Sequence, residues 1–93
     1  MPAFAIGHIT VLNPDLWDEY RSRVPATLEG TGGELMFRAT TARVLGGSHA
    51  HEQTVVIRFP DLATLNRWFD SDAYQALVPL RERAAKVDLV AFA

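Results

Sequence analysis

The chain has 93 residues, 48% of them hydrophobic and 22% charged, with a formal net charge of −2 and no cysteine. This is the composition of one ordinary globular domain, and it excludes disulfides, thiolate chemistry and cysteine metal sites. The mixed charge carries no nucleic-acid footprint, no stretch approaches the roughly 20 apolar residues of a membrane span, and the alternating start lacks the basic flank of a signal peptide, so the expectation is a soluble cytoplasmic protein.

Residues 3–12, AFAIGHITVL, read as a strand. Phe4, Ile6, His8 and Thr10 point one way, and Ala5, Gly7, Ile9 and Val11 the other. Both faces are largely apolar, as expected of a central strand. Asn13-Pro14-Asp15 starts a helix: Asn13 caps it, Pro14 takes the first position and Asp15 faces the positive end of the dipole. Leu16, Tyr20 and Val24 continue one face, Pro25 predicts a kink or break, and Gly30, Gly32 and Gly33 end the helix. A second strand is predicted over 34–45, with Leu35 and Phe37 opposed to Met36 and Arg38. A hairpin loop around Gly46-Gly47 leads to a third strand at 53–59, where Val55, Ile57 and Phe59 alternate with Val56 and Arg58. Pro60 stops that strand and Asp61 caps a helix with Leu62, Leu65, Trp68 and Phe69 on one face. Ser71 caps a second segment carrying Tyr74, Leu77 and Leu80, in which Pro79 predicts a bend or the end of a turn. Residues 87–92, VDLVAF, close the chain as a strand.

The order βαββαβ has one common solution, an α+β ferredoxin-like domain covering residues 1–93, with a four-stranded antiparallel sheet and its helices on one face. Right-handed crossovers place the first and third strands in the centre. The simplest helix-facing set is Ile9, Val11, Leu35, Phe37, Val55, Ile57, Phe59 and Leu89. The other face then carries Phe4, Ile6, His8, Met36, Arg38, Val56, Arg58, Asp88, Val90 and Phe92. That face is too apolar to leave wet, which predicts a homodimer through it.

Candidate chemistry starts at His8, a titratable ring among apolar neighbours and a candidate general base. Arg38 and Arg58, on the same predicted face, suit a carboxylate or enolate, although Arg58 could equally neutralise Asp88. With both arginines beside it and Asp88 remote, His8 would be held neutral; a one-residue slip would separate it from Arg38. Trp17, Tyr20, Trp68, Phe69 and Tyr74 read as helix–sheet core, one or two of them lining a pocket mouth. His49, His51 and Glu52 have the spacing of metal ligands, but solvated loop residues account for them better, and no metal is expected. No phosphate loop, dinucleotide fingerprint or Ser-His-Asp elbow occurs, so no cofactor is expected. Three functions compete. One is a cofactor-free enzyme acting on a small organic acid, with His8 taking a proton and Arg38 holding the oxyanion. The others are a non-catalytic binding module and a purely structural dimer.

The segments EYRSRVPATLEGTGGELMFR and VVIRFPDLATLNRWFDSDAYQALVPLRERAA resemble the bacterial family called domain of unknown function 1330, over nearly the whole chain. The resemblance implies a member of the dimeric α+β barrel superfamily, in which two ferredoxin-like units pack sheet to sheet. Branches of that superfamily include cofactor-free monooxygenases, haem-degrading enzymes and small-molecule isomerases. The family pattern is matched at Tyr20, Pro25, Gly33, Arg38, Pro60, Trp68, Tyr74, Gln75 and Arg81. The chain departs from it at Ala39-Thr40, where the resemblance implies glycines, and at His8 and Arg58, where acidic residues are common. His8 is thus the catalytic candidate, and Arg38, Arg58, Tyr20, Trp68 and Tyr74 are the binding candidates.

Overall fold

Strand β1 (Ala3–Val11) leads into helix α1 (Pro14–Leu28), and β2 (Glu34–Thr40) and β3 (Gln53–Phe59) follow as a hairpin. Three helical segments, α2 (Leu62–Asp70), α3 (Asp72–Gln75) and α4 (Val78–Ala84), return the chain to β4 (Ala85–Phe92) in a computed structural model that describes residues 1–93. The sheet order is β2-β3-β1-β4 with antiparallel neighbours, which is the ferredoxin-like arrangement with β1 and β3 in the centre.

Local chemistry sets the helix starts. The Asn13 side chain accepts from the Leu16 amide at 3.1 Å, Asp61 from the Thr64 amide at 2.7 Å, and Ser71 from the Tyr74 amide at 3.2 Å. Each satisfies a donor that the first turn leaves without a helical partner. Pro79 sits in the first turn of α4, where its missing N–H costs nothing. Of the expected kink or break at Pro25, the break does not occur; α1 runs through it to Leu28. Pro25 is exposed, so the Arg21 carbonyl that it deprives of a donor can turn to water.

Along β1 the odd residues from Ala3 to Ile9 are buried under the helices, Val11 is half-buried at the strand end, and the even ones lie half-buried on the open face. His8 stands opposite Thr54 on one side and Asp88 on the other. Strand β2 departs from the predicted pattern in two ways. It ends at Thr40, five residues short of the predicted 45, because β3 begins only at Gln53 and offers nothing further to pair. A last backbone bond from Thr41 N to Glu52 O at 2.7 Å closes the ladder, and residues 41–50 form an exposed loop.

The second departure is a bulge. Leu35 pairs with Ile57 but Phe37 pairs with Val56, so Met36 is an extra residue on β2. Because side chains alternate with a period of two, one extra residue reverses the faces of everything after it. Phe37 therefore lies with Val56 on the open face, and Arg38 pairs with Val55 on the helix side. The sequence pattern had placed both the other way, and had put Arg38 beside His8. They lie on opposite faces of the sheet.

Candidate functional site

Helix α1 packs more closely on α4 and α3 than on any strand. Between its inner stripe and the sheet lies a cavity of about 610 Å³. Trp17, Tyr20, Val24 and Leu28, one helical stripe of α1, form its roof. Gly7, Ile9, Val55, Ile57, Val87 and Leu89 form the floor, Trp68 and Tyr74 close one end, and β2 contributes Leu35 and Arg38. Gly7 lies outside the left-handed region, so its backbone does not require glycine. A Cβ there would stand 3.1 Å from Val55 Cγ1 and 3.6 Å from Leu89 Cδ1. The missing side chain keeps the floor low in the middle of a central strand, where glycine otherwise weakens the sheet.

Polar groups are few and mostly cationic or donating. Arg38 and Arg21 both line the cavity and both are exposed to solvent on one side. Arg21 lies 3.8 Å from Asp18, whereas Arg38 has no carboxylate within ion-pair distance; the remaining ion pairs are Arg23–Glu19 and His51–Asp88. Partial burial lowers the Arg38 pKa, and the charge of Arg21 adds to that, while Tyr20 opposes it. An anion between the two guanidiniums would relieve both effects.

At the closed end the Tyr20 and Tyr74 hydroxyls meet at 2.9 Å, and Arg81 Nη1 donates to the Tyr74 oxygen at 2.8 Å. The Tyr20 hydroxyl is held far above the ordinary phenol value, first by burial and then by Tyr74. It is a permanent donor and not a base. The Trp17 Nε1 is buried without a partner, and Trp17 stacks on Tyr20 with ring centroids 5.1 Å apart. Trp68 instead donates from Nε1 to Thr27 Oγ1 at 2.9 Å, which ties α2 to α1.

The raised pKa of Tyr20 has a measurable consequence. A folded state that keeps a proton the unfolded chain gives up near pH 10.0 binds more protons above that pH, so stability is flat below it and falls as pH rises beyond it. The contribution of Tyr20 to that fall is about 1.4 kcal/mol per pH unit. Urea titrations from neutral pH to above pH 10 should therefore show a shallower alkaline decline in Tyr20→Phe than in the wild type. Identical slopes would exclude this role for the phenol.

Of the expected site residues, the cavity gathers Tyr20, Arg38, Trp68 and Tyr74 and leaves out His8 and Arg58. Arg58 lies on the open face between Phe4 and Glu34. His8 Nδ1 is 3.0 Å from Thr54 Oγ1, and its ring meets those of His49 and His51 at centroid distances of 4.9 and 6.3 Å. Two expectations fail here. Asp88 is not remote, being the direct neighbour of His8 across the strands. His51 is not a solvated loop residue, since it contacts Thr10 Oγ1 at 3.0 Å and Asp88 Oδ2 at 2.6 Å. No group of three or more such side chains is arranged to hold a metal ion. Trp17 is at the cavity, as one of the aromatics read as core or pocket mouth, whereas Arg21 is a cavity residue that the sequence pattern did not single out. The four-residue spacing of Arg21 from Trp17 on α1 was the available signal.

Residues 2–93 match the family model described as a domain of unknown function, DUF1330. No curated protein matches the sequence significantly. Among solved structures, a protein of unknown function from Rhodopseudomonas palustris superposes with a TM-score of 0.81 at 13% identity, covering 98% of this chain and 80% of its own. The cofactor-independent oxygenase SnoaB from Streptomyces nogalater gives 0.69 at 12% identity, with 99% of this chain and 91% of that one covered. A dimeric ferredoxin-like protein of unknown function from Thermobifida fusca gives 0.66 at 15% identity, covering 100% and 91%. These likenesses establish the fold. No helix is long and apolar enough to cross a membrane.

Proposed function

The chain belongs to the DUF1330 family, and on that premise we propose that it is a cytoplasmic homodimer that binds a small organic anion in the cavity between α1 and the sheet. One observation carries this reading: Arg38, turned inward by the bulge, lines a mainly apolar cavity shared with Tyr20 and has no carboxylate within ion-pair distance. The cavity volume of about 610 Å³ falls in the range of small-molecule sites, roughly 300–1,000 Å³. Its aromatic roof and aliphatic floor suit a planar, mainly apolar acid with its charged end at Arg38.

Binding without chemistry fits the lining better than catalysis does. The only histidine on β1 faces away, Tyr20 cannot serve as a base, and the carboxylates at the cavity, Asp18 and Glu29, are exposed. A cofactor-free transformation, as the name of the Streptomyces neighbour describes for that protein, would require the ligand to supply the reactivity. Calorimetric titration with 2-naphthoate and with its neutral amide tests the reading. The acid should bind and the amide should bind more weakly, and Arg38→Ala should lose about 10- to 100-fold for the acid alone, as expected for one charge-assisted contact. Equal binding of acid and amide, or an unchanged Arg38→Ala, would remove the anion site.

A further inference from the structure

We propose that Arg81, which does not line the cavity, makes its deep end selective for acceptor oxygens by fixing which way the Tyr20 hydroxyl points. A guanidinium only donates, so the Tyr74 oxygen must be the acceptor in the 2.8 Å contact with Arg81 Nη1. The Tyr74 hydroxyl hydrogen then needs its own acceptor. Tyr74 is 0% exposed, and the Tyr20 oxygen at 2.9 Å is the one partner its hydroxyl has besides Arg81. Turned elsewhere, that hydrogen would be a buried unpaired donor, costing about 1–3 kcal/mol. The chain therefore runs Arg81 to Tyr74 to Tyr20, each donating to the next.

Tyr20 has thus accepted one bond, and its own hydrogen is free to point away from Tyr74. At 9% exposure Tyr20, unlike Tyr74, keeps surface for an occupant of the cavity to touch. Its raised pKa keeps the hydrogen in place. Arg38 lies close enough to Tyr20 for each to shift the other, and it too can only donate. Both line the cavity, and neither has an acceptor of its own for its free hydrogens. A carboxylate, a phenolate or a ketone oxygen satisfies such a pair, whereas a hydroxyl hydrogen has nowhere to go. Arg81 is a positioning residue in this scheme. It acts through Tyr74 and has no ion-pair partner of its own to explain its placement.

This selectivity rests on the anion reading of the cavity; the direction of the relay does not, and two measurements separate them. In ligand-free protein with labelled tyrosine rings, NMR should assign the slowly exchanging hydroxyl proton to Tyr74. In Arg81→Met, with the Tyr74 oxygen released, the proton shared between the rings should be assigned to Tyr20. A slow proton on Tyr20 in the wild type, or the same assignment in both proteins, overturns the relay. The second probe is 4-nitrophenol, whose ionised form absorbs visible light. Bound to the wild type it should ionise at a lower pH than when free. Arg81→Met should lose about tenfold in affinity for the phenolate and most of that pH shift, while Arg81→Lys, which keeps a donor, retains both. Loss of affinity without loss of the shift means that Arg81 is merely structural. Should Arg81→Met not fold, Tyr74→Phe breaks the same chain one link further on and should give the same loss. Failure of every variant, wild type included, to bind nitrophenolate overturns the anion site and the selectivity with it, and leaves the direction of the relay to be decided by the NMR assignment.

Discussion

Trp68→Ala should cost about 3–5 kcal/mol in urea denaturation, a large share of the 5–15 kcal/mol that holds a domain together. Trp68 is 2% exposed, and its ring lies 4.4 Å from that of Tyr74 and 5.3 Å from that of Phe59, centroid to centroid. Truncation removes these contacts and opens the end of a cavity that is already there, so the neighbours cannot close the gap cheaply. It also removes the 2.9 Å bond to Thr27, whose own hydroxyl donates to Val24 O at 2.7 Å inside α1. The helix that roofs the cavity is thus tied to the helix that ends it through a single side chain. Trp68→Phe, which keeps a ring but not the donor, should lose clearly less. A cost below about 1 kcal/mol for Trp68→Ala would mean that the surroundings collapse onto the vacated space and that the cavity is not rigid.

Much of this architecture is legible in the sequence because it rests on local chemistry. Asn13, Asp61 and Ser71 announce helix starts, and each makes the capping bond its position predicts. The alternation in β1 and β3 fixes which residues face the helices; the burial along β1 follows it, whereas in β3 Val56, on the open face, is buried as well. What escapes is whatever depends on pairing across the chain. No glycine or proline marks Met36 as the extra residue of a bulge; the bulge exists only relative to Ile57 and Val56 on the neighbouring strand. That one insertion decides the site, since it moves Arg38 from the side of His8 to the side of Tyr20. The proximity of His51 to Asp88 is similarly invisible, since they lie 37 positions apart in the sequence. Empty space is the hardest feature to read. Its sole trace is Gly7, a glycine in mid-strand whose backbone does not need one.

Ile6→Lys should convert a dimer into a monomer while leaving the fold intact. The open face presents Phe37 at 53%, Val90 at 46% and Phe92 at 51% exposure, around Ile6 on the central strand. Leaving that surface in water forgoes about 25 cal/mol for each Å² of apolar area. A second copy of the same face can cover it, as the proposed homodimer requires. Ile6 stands between Val56 on β3 and Val90 on β4, near the middle of the patch. In an isolated chain a lysine there can run its stem along the neighbouring valines and keep its ammonium in water. Between two packed sheets the ammonium has no such exit, and an unpaired buried charge costs about 3–5 kcal/mol, or 10²- to 10³-fold and more in dissociation constant. Sedimentation at micromolar concentration should therefore give a dimer for the wild type and a monomer for Ile6→Lys, with the same far-ultraviolet circular dichroism. A monomeric wild type would remove the homodimer. A dimeric Ile6→Lys would move the interface to another surface, with β2, the exposed edge strand that pairs only with β3, as the remaining apolar candidate.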